Sequence, residues 1–260
     1  MEISTAGQRI GVAGIRQQTL LAILLLDVGK TIGVARLIDG IWGERAPATA
    51  HAQLRICVSR LRRRMNETGL PALISTENQG YRLTVANERI DVYHFARLLE
   101  VAHEVETHGK LSESVQLLRV ALGLWRGPAL EGLSSPLVRT AAARLDEERR
   151  GALEHCFSLE LRLGQHHRIV PELMANAAEF PFRENLQFQL ITALYRSGRQ
   201  VDALNVYRKL KRRFREELGV DPSHFLRSLE RKILAQSPDL NGGTPAQETR
   251  VPACSAVSGM

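Results

Sequence analysis

The order of predicted elements in the first 90 residues is the feature that most constrains the fold of this 260-residue chain. Apolar residues recur with the period of a helix in three successive segments, and two short extended stretches around a glycine-containing turn follow them. The predicted helices cover 16–27, 34–42 and 48–66, the extended stretches cover 73–76 and 81–85, and shorter strands are expected near 2–4 and 8–12. Three helices followed by a hairpin predict a winged helix-turn-helix over residues 1–90.

From Asp91 onward helical periodicity is the dominant pattern, which predicts a second, all-helical domain over residues 91–237. Gly164 and Gly198 lie 34 residues apart in it, which is the period of tetratricopeptide repeats. We therefore expect a mostly α protein in which an all-helical, tetratricopeptide-like domain follows the winged helix-turn-helix. The predicted helices are 92–108, 111–125, 136–163, 166–180, 184–197, 200–217 and 222–236. Residues 238–260 lack apolar periodicity and are expected to be disordered.

The charge of the chain favours a polyanionic partner. Lys and Arg number 35 against 28 acidic residues, and residues 1–90 carry +5 of the net charge of +7. Apolar residues make up 44% of the chain, which excludes a fully disordered protein. The longest apolar run, Leu20–Leu26, is too short to span a membrane, and the first residues lack the pattern of a secretory signal. A cytoplasmic protein without membrane contact is therefore expected.

The third predicted helix has one apolar face and one basic face. On a helical wheel Leu54, Val58, Leu61 and Met65 fall within about 60° of one another and predict the buried stripe. The candidates for base readout are Gln53, Arg55, Ile56, Ser59 and Arg63, and those for phosphate contact are Arg60, Arg62 and Arg64. Arginine can bind guanine bidentately, an amide can read adenine, and an apolar side chain can touch a thymine methyl group. A merely solvated basic face is the alternative, and the elements around this helix favour DNA.

The predicted hairpin supplies a second set of candidate DNA contacts. Hydroxyl and amide side chains commonly bind the DNA backbone, and four of them lie here: Ser75, Thr76, Asn78 and Gln79. Glu77, in the same turn, argues against tight insertion into the minor groove. The alternative interpretation is a hairpin that only covers the core.

The sequence gives no sign of catalysis or of a metal site. Three cysteines lie far apart without a C-x-x-C pair, which argues against a disulfide framework and a structural zinc site. Phosphate-binding, zinc-protease and nucleophile-elbow motifs are absent, so we expect neither an enzyme nor a cofactor. His166 and His167 point about 100° apart on a helix, which favours a solvated helix start over shared metal ligation. Trp125 and Tyr195 are expected to be core anchors.

Two groups of motifs resemble those of a known regulator family. Segments 16–26, 37–43, 58–62 and 80–83, which include RQQTLLAILLL and LIDGIWG, resemble an OmpR-type winged helix. Segments 124–130, 143–148, 193–204 and 217–222, which include LWRGPAL and ELGVDP, resemble the bacterial transcriptional activation domain. In this order, over about residues 1–237, they are similar to the streptomycete antibiotic regulatory protein family. The chain departs from the family at Glu77, where many relatives carry Arg.

This resemblance implies a sequence-specific, DNA-binding transcriptional activator of a secondary-metabolite (antibiotic) biosynthetic gene cluster. Such a protein binds direct repeats of double-stranded DNA near promoters, pairs there with a second copy of itself, and recruits RNA polymerase holoenzyme. The polymerase-contact loop implied by the family comprises Gly43, Glu44, Arg45, Ala46 and Pro47. The alternative from another class is a protein-interaction adaptor, in which the helical-repeat domain is the working part and the winged helix also contacts protein.

Overall fold

The winged helix predicted from the order of elements is present in the computed structural model, which describes residues 2–5, 8–67 and 73–241. Its helices are α1 (Ile15–Leu26), α2 (Val34–Trp42) and α3 (Ala50–Glu67). Its strands are β1 (Glu2–Thr5), β2 (Gln8–Gly11), β3 (Thr31–Gly33), β4 (Leu73–Glu77) and β5 (Gly80–Thr84). The bounds of α2 are those predicted from periodicity. No pattern predicts β3, because three residues are too few to show alternation.

The wing is a three-stranded antiparallel sheet in the order β3-β5-β4, and β1 and β2 form a separate hairpin. Arg82 of β5 lies opposite Thr31 of β3 on one side and Ser75 of β4 on the other. Gly80 begins β5 beside Ile32, and a Cβ atom on Gly80 would lie only 2.1 Å from the Ile32 carbonyl oxygen. The close approach of these two strands therefore requires glycine at this position.

The burial of α3 follows the predicted stripe. Leu54, Val58, Leu61 and Met65 are all buried, and they belong to one cluster with the apolar run Leu20–Leu24 of α1. Because that run is buried along its whole length, α1 lies at the centre of the winged-helix core.

Helices alone follow the winged helix in the described part of the chain, as predicted. They are α4 (Asp91–Thr107), α5 (Leu111–Gly123), α6 (Pro136–Arg162), α7 (His166–Glu179), α8 (Glu184–Arg196), α9 (Gln200–Arg213) and α10 (His224–Leu234), besides short 3-10 and π turns. The prediction for α9 was too long, since residues Phe214–Leu218 form a π-helical turn instead of continuing the α-helix. Of the described helices, none has the length and apolar character needed to cross a membrane.

The core of the winged helix extends past residue 90. Leu133 and Val138 are buried in the same cluster as α1 and α3, and Leu130 and Leu137 pack against it. The first compact unit accordingly covers Met1–Leu153. The boundary predicted at residue 90 does not coincide with the end of this unit, because the chain around the start of α6 supplies apolar side chains that the winged helix buries.

Trp125 is a packing residue of the first unit, as the sequence predicts. Its ring meets Phe95 of α4 edge-on, with 5.2 Å between the ring centres, and the Arg149 guanidinium of α6 lies 5.3 Å from its centre. Asp146 of α6 accepts a hydrogen bond of 2.9 Å from the backbone N–H of Ala129. These contacts fasten the segment between α5 and α6 to α6 itself.

The second compact unit covers Glu154–Met260, and its boundary lies within α6. Gly164 and Gly198 follow α6 and α8 with left-handed φ values of 73° and 74°, a conformation in which glycine commonly ends a helix. The α6–α7 and α8–α9 pairs are thus successive helix-turn-helix units at the predicted interval. The buried carboxylate of Glu154 accepts a hydrogen bond of 2.6 Å from Arg183, which joins α6 to the start of α8.

Residues 238–241 are ordered, which corrects the predicted start of disorder at residue 238. They form a 3-10 turn, Leu240 is buried, and its carbonyl oxygen accepts a hydrogen bond of 2.7 Å from Arg196 of α8. The sequence analysis missed this turn because one apolar residue produces no periodicity. The remainder of the predicted tail, from residue 242, lies outside the described residues.

The two histidines at the start of α7 lie in different environments. His167 is exposed as predicted, whereas His166 is half-buried and its Nδ1 atom is shielded from solvent. Burial, with the positive charges of His167 and Arg196 as further causes, lowers the pKa of His166 below its usual value. His166 is therefore held neutral to lower pH than an exposed histidine.

Candidate nucleic-acid interface

The side of α3 opposite its buried stripe is a basic surface, which we call the α3 face. It is formed by the exposed side chains Arg55, Ile56, Ser59, Arg60, Arg63 and Arg64. Ile56 lies in the α3 face with 51% of its surface exposed. Exposure of an isoleucine side chain to water is unfavourable compared with its burial. The sequence-predicted candidates of α3 are thus brought together, apart from two that have other contacts.

The arginines of the α3 face carry more positive charge than their neighbours neutralise. Arg63 and Arg64 share one carboxylate, that of Glu67, at 3.6 and 3.4 Å. Arg55 and Arg60 have no hydrogen bond or ion pair with any residue that the structure describes. Exposed ion pairs contribute at most about 1 kcal/mol, so a phosphate or a base edge can replace the Glu67 partner at little cost. The face can therefore accept an anionic ligand without rearranging the fold.

Arg62 has a structural role that the helical wheel did not indicate. Its Nε donates to the Ile74 carbonyl oxygen at 2.7 Å, and its Nη2 donates to the Thr76 hydroxyl at 2.8 Å. Two of its nitrogens are therefore used to hold β4 against α3. The structure places Arg62 at the joint between α3 and β4, and the phosphate contact predicted for it would have to use its remaining nitrogen or compete with these two bonds.

Gln53 is half-buried, and both ends of its amide group are already bonded. Its Oε1 accepts a hydrogen bond of 2.8 Å from Arg16, and its Nε2 donates to the Thr49 hydroxyl at 2.9 Å. The Arg16 guanidinium also lies 5.7 Å from the centre of the Trp42 ring. Adenine readout by Gln53 would require exchange of these bonds. Arg16 is a neighbour of the interface that the sequence analysis did not single out, because it lies 37 residues away from Gln53 in the chain.

The wing presents fewer free side chains than the sequence suggested. Ser75 donates to the Glu77 carboxylate at 3.1 Å, and Glu77 lies 3.8 Å from the Arg82 guanidinium. The negative charge at the tip is therefore partly balanced within the wing. Asn78 and Gln79 are exposed, and no other described residue bonds to their side chains. Of the four predicted wing contacts, these two remain available, while Ser75 and Thr76 are engaged within the first unit.

The loop implied as a polymerase contact follows α2 and is mainly exposed. Its first three residues, Gly43–Arg45, form a 3-10 turn, and Gly43 has a left-handed φ of 59°. Glu44, Arg45 and Ala46 are exposed, whereas Gly43 and Pro47 are half-buried. The Pro47 carbonyl accepts a hydrogen bond of 2.8 Å from the first residue of α3, so the loop has a fixed position beside α3.

The one cysteine of α3, Cys57, is buried. Burial raises the pKa of the Cys57 thiol, so it is protonated near neutral pH and a poor nucleophile. Among the residues that the structure describes, no three His, Cys, Asp or Glu side chains are grouped to hold a metal ion.

Two sequence families account for most of the chain. The family described as "Transcriptional regulatory protein, C terminal" matches residues 13–83, which include α1, α2, α3, β3 and β4 and most of β5. The family described as "Bacterial transcriptional activator domain" matches residues 90–234, more than half of the chain. The order of the two matches is the order of the motifs in the sequence.

Curated regulatory proteins match most of this chain. Regulatory protein DnrI of Streptomyces peucetius is 35% identical, and the match covers 94% of this chain and 91% of that protein. Transcriptional regulator RedD of Streptomyces coelicolor is 33% identical, over 92% of this chain and 70% of RedD. Regulatory protein AfsR of the same species is 38% identical over 90% of this chain, which spans only 23% of AfsR.

A solved structure of another regulatory protein has a similar fold. Mycobacterium tuberculosis EmbR, determined in complex with a low-affinity phosphopeptide, matches with a TM-score of 0.83 and 32% identity. The match covers 90% of this chain and 63% of the EmbR chain. The chain therefore belongs to the streptomycete antibiotic regulatory protein family, a family of transcriptional regulators.

Proposed function

We propose that this protein is a sequence-specific DNA-binding activator of antibiotic biosynthetic genes, and that the α3 face is its reading surface. The observation that carries this proposal is the set of exposed arginines that lack sufficient acidic partners on that face. The major groove of B-DNA admits one α-helix, and an α-helix with a rigid apolar back and a basic front suits that groove.

The side chains of the α3 face divide into two roles by chemistry. Arg55, Ser59 and Arg63 project from the exposed side and are proposed to bond to base edges, with Arg suited to guanine. Ile56 supplies the apolar contact that a thymine methyl group requires. Arg60 and Arg64 lie beside them and are proposed to bind phosphates, as are Asn78 and Gln79 of the wing. Gln53 joins the base-reading set only when DNA displaces Arg16 or Thr49 from its amide.

Two copies of the protein are proposed to bind directly repeated sites in head-to-tail order. A single winged helix reads few base pairs, and each one contributes about 1–3 kcal/mol of discrimination. A second copy on an adjacent repeat doubles the sequence that is read. The loop Gly43–Pro47 is proposed to face RNA polymerase holoenzyme, since its exposed residues lie beside α3 without belonging to the α3 face.

A gel shift with DNA from the neighbourhood of the protein's own gene tests the DNA-binding proposal. We expect binding with sequence preference and a steep decrease in affinity with salt, because arginine–phosphate contacts release counterions. The adaptor hypothesis predicts instead that no fragment is preferred and that affinity is negligible near physiological salt.

The direct-repeat proposal is tested by spacing. Insertion of about 5 bp, half a helical turn, between two repeats places the second copy on the opposite side of the duplex. Cooperative binding and transcription in vitro are expected to fall. Insertion of a full helical turn is the matched control. It returns the second copy to the same side of the duplex and is expected to restore part of the cooperative binding and part of the transcription. Cooperativity that is equal for both insertions would indicate independent monomers.

The polymerase-contact proposal is tested at the loop itself. Arg45→Ala and Glu44→Ala change exposed side chains outside the α3 face and should leave affinity for DNA unchanged. Transcription in vitro is expected to decrease with at least one of them. Full transcription by both variants at saturating protein would contradict a polymerase contact at this loop.

A further inference from the structure

A surface pocket lies between α9 and α10 of the second unit. None of its lining residues is among those proposed to bind DNA. Its volume is about 380 Å³. It is lined by Tyr207, Lys211, His224, Arg227, Glu230 and Arg231. On α10 the lining residues recur at intervals of three and four, and on α9 the two are four apart, so each helix presents one face to the pocket.

The pocket has an excess of positive charge. Three cations, Lys211, Arg227 and Arg231, line the pocket with one carboxylate, that of Glu230, and a second carboxylate, Asp221, is near enough for the charges of Lys211 and Arg227 to lower its pKa. Lys211 and Arg227 make no hydrogen bond or ion pair within the described part of the chain, and Arg231 contacts only the His224 ring, at 3.5 Å. Three other exposed arginines of this unit are paired with carboxylates: Arg199 with Asp202, Arg213 with Glu217 and Arg215 with Asp221. The cations of the pocket are therefore available to an anionic ligand.

The pocket also contains a buried neutral hydrogen-bonding group. Tyr207 is 1% exposed. Burial, then the negative charge of Glu230 and a hydrogen bond to its carboxylate, raises the pKa of Tyr207 to about 12, so the hydroxyl is protonated at physiological pH. A bound acceptor oxygen would compete with Glu230 for this donor.

We propose that this pocket binds a small phosphorylated molecule, with the phosphate held by Lys211, Arg227 and Arg231. Guanidinium groups match the geometry of phosphate oxygens, and a lysine adds a compact charge. The Tyr207 hydroxyl donates to the same oxygens. A multiply charged phosphate suits three cations better than a single carboxylate does.

The pocket's size favours a small ligand over a polymer. A volume of 380 Å³ lies at the lower end of the range of about 300–1,000 Å³ for small-molecule sites. It accommodates a phosphate or diphosphate group and a small organic part.

Calorimetric titration of the 260-residue protein with inorganic pyrophosphate, at constant ionic strength in chloride, tests this proposal. Saturable binding at one site is expected. Arg227→Gln and Lys211→Gln, on different helices, should each weaken it about tenfold, which corresponds to the loss of one charge-assisted hydrogen bond. Tyr207→Phe retains the ring and should weaken binding by a smaller factor. Thermal unfolding of each variant verifies that it is folded.

Two control variants separate the pocket from non-specific attraction. Arg212→Gln removes the same charge from the exposed side of α9 outside the pocket, and Arg139→Gln removes one from an exposed position of α6 outside both proposed sites. Both should bind pyrophosphate like the wild type. The proposal is overturned if no saturable binding is seen, if both pocket variants bind like the wild type, or if either control weakens binding as much as they do. None of these results would bear on DNA binding by α3.

Discussion

Arg62 and Arg63 are adjacent in the sequence but have different surroundings. Arg62 bonds to β4 through two nitrogens, while the Arg63 side chain is 77% exposed and, among the described residues, forms an ion pair with Glu67 alone. Successive residues of a helix point about 100° apart, and this rotation is enough to send one arginine toward the wing and the other toward solvent. The two side chains therefore contribute to different properties of the protein.

Arg62→Ala is expected to lower the free energy of unfolding by about 1–2 kcal/mol, because two hydrogen bonds from a charged group are lost. Arg63→Ala, which loses only an exposed ion pair, should unfold like the wild type. Thermal or urea unfolding of both variants measures this difference. Equal stability of the two would show that Arg62 does not hold the wing to α3.

His166 gives the second unit a pH-dependent stability. Its pKa is lowered in the folded protein, so as the pH falls through the usual value of about 6.5 the unfolded chain binds a proton first. Stability contributed by the neutral form is therefore lost on acidification and regained as the pH rises. We expect the decrease in Tm between about pH 7.5 and pH 5.5 to be smaller in His166→Gln than in the wild type. His103→Gln, at an exposed histidine, is the control and should show the same decrease in Tm as the wild type.

At the scale of elements, the wing depends on the close approach of β3 and β5. In Gly80→Ala the new methyl group would lie against the backbone of Ile32, which cannot move away as a side chain can. We expect a loss of about 3 kcal/mol in unfolding free energy. Gly123→Ala, at the end of α5 where a Cβ meets nothing within 4 Å, should be neutral or stabilising by up to about 1 kcal/mol. If Gly80→Ala has the same unfolding free energy as the wild type, the close approach of β3 and β5 does not require glycine at this position.

The sequence predicts the elements better than their partners, and the interface illustrates the difference. The apolar stripe of α3 is periodic, so Leu54 and Val58 were placed correctly in the core. Arg62 lies at the edge of the same wheel, and its role depends on a strand twelve residues later whose position no local pattern gives. The burial of Leu240 likewise depends on a long-range contact with Arg196. Periodicity reports which side of an element is apolar, and it does not report what covers that side.

At the scale of the whole molecule, the winged helix depends on residues beyond its sequence family. Leu133 and Val138 complete its core, although they lie within the segment matched by the activator-domain family. A fragment ending at residue 90 would expose the surface that they cover. Residues 91–237 alone would likewise leave these two side chains without their partners in α1 and α3. Both fragments are therefore expected to be less stable than the corresponding parts of the intact chain.

Leu133→Ala in the intact protein tests this dependence without truncation. The side chain is buried, so the substitution should lower the unfolding free energy by about 2–5 kcal/mol. The thermal unfolding transition of the first unit should move to a lower temperature than in the wild type. DNA binding should be lost at the same lower temperature. Substitution of exposed Val120 on α5 by Ala is the control and should have little effect. Unchanged unfolding of Leu133→Ala would mean that residues past 90 do not support the winged helix.

The central claim, that the exposed face of α3 reads DNA, is tested most directly by the affinity of Arg63→Ala for the DNA fragment that the wild type protects. The matched control is Arg144→Ala. Like Arg63, Arg144 is an exposed helical arginine that pairs with a glutamate four residues later. Fluorescence anisotropy on single-base variants of the fragment measures both affinity and specificity. We predict that Arg63→Ala loses about 1–3 kcal/mol and relaxes the preference at one base position, while Arg144→Ala binds like the wild type. Equal binding by both variants would contradict the assignment of α3 as the reading helix.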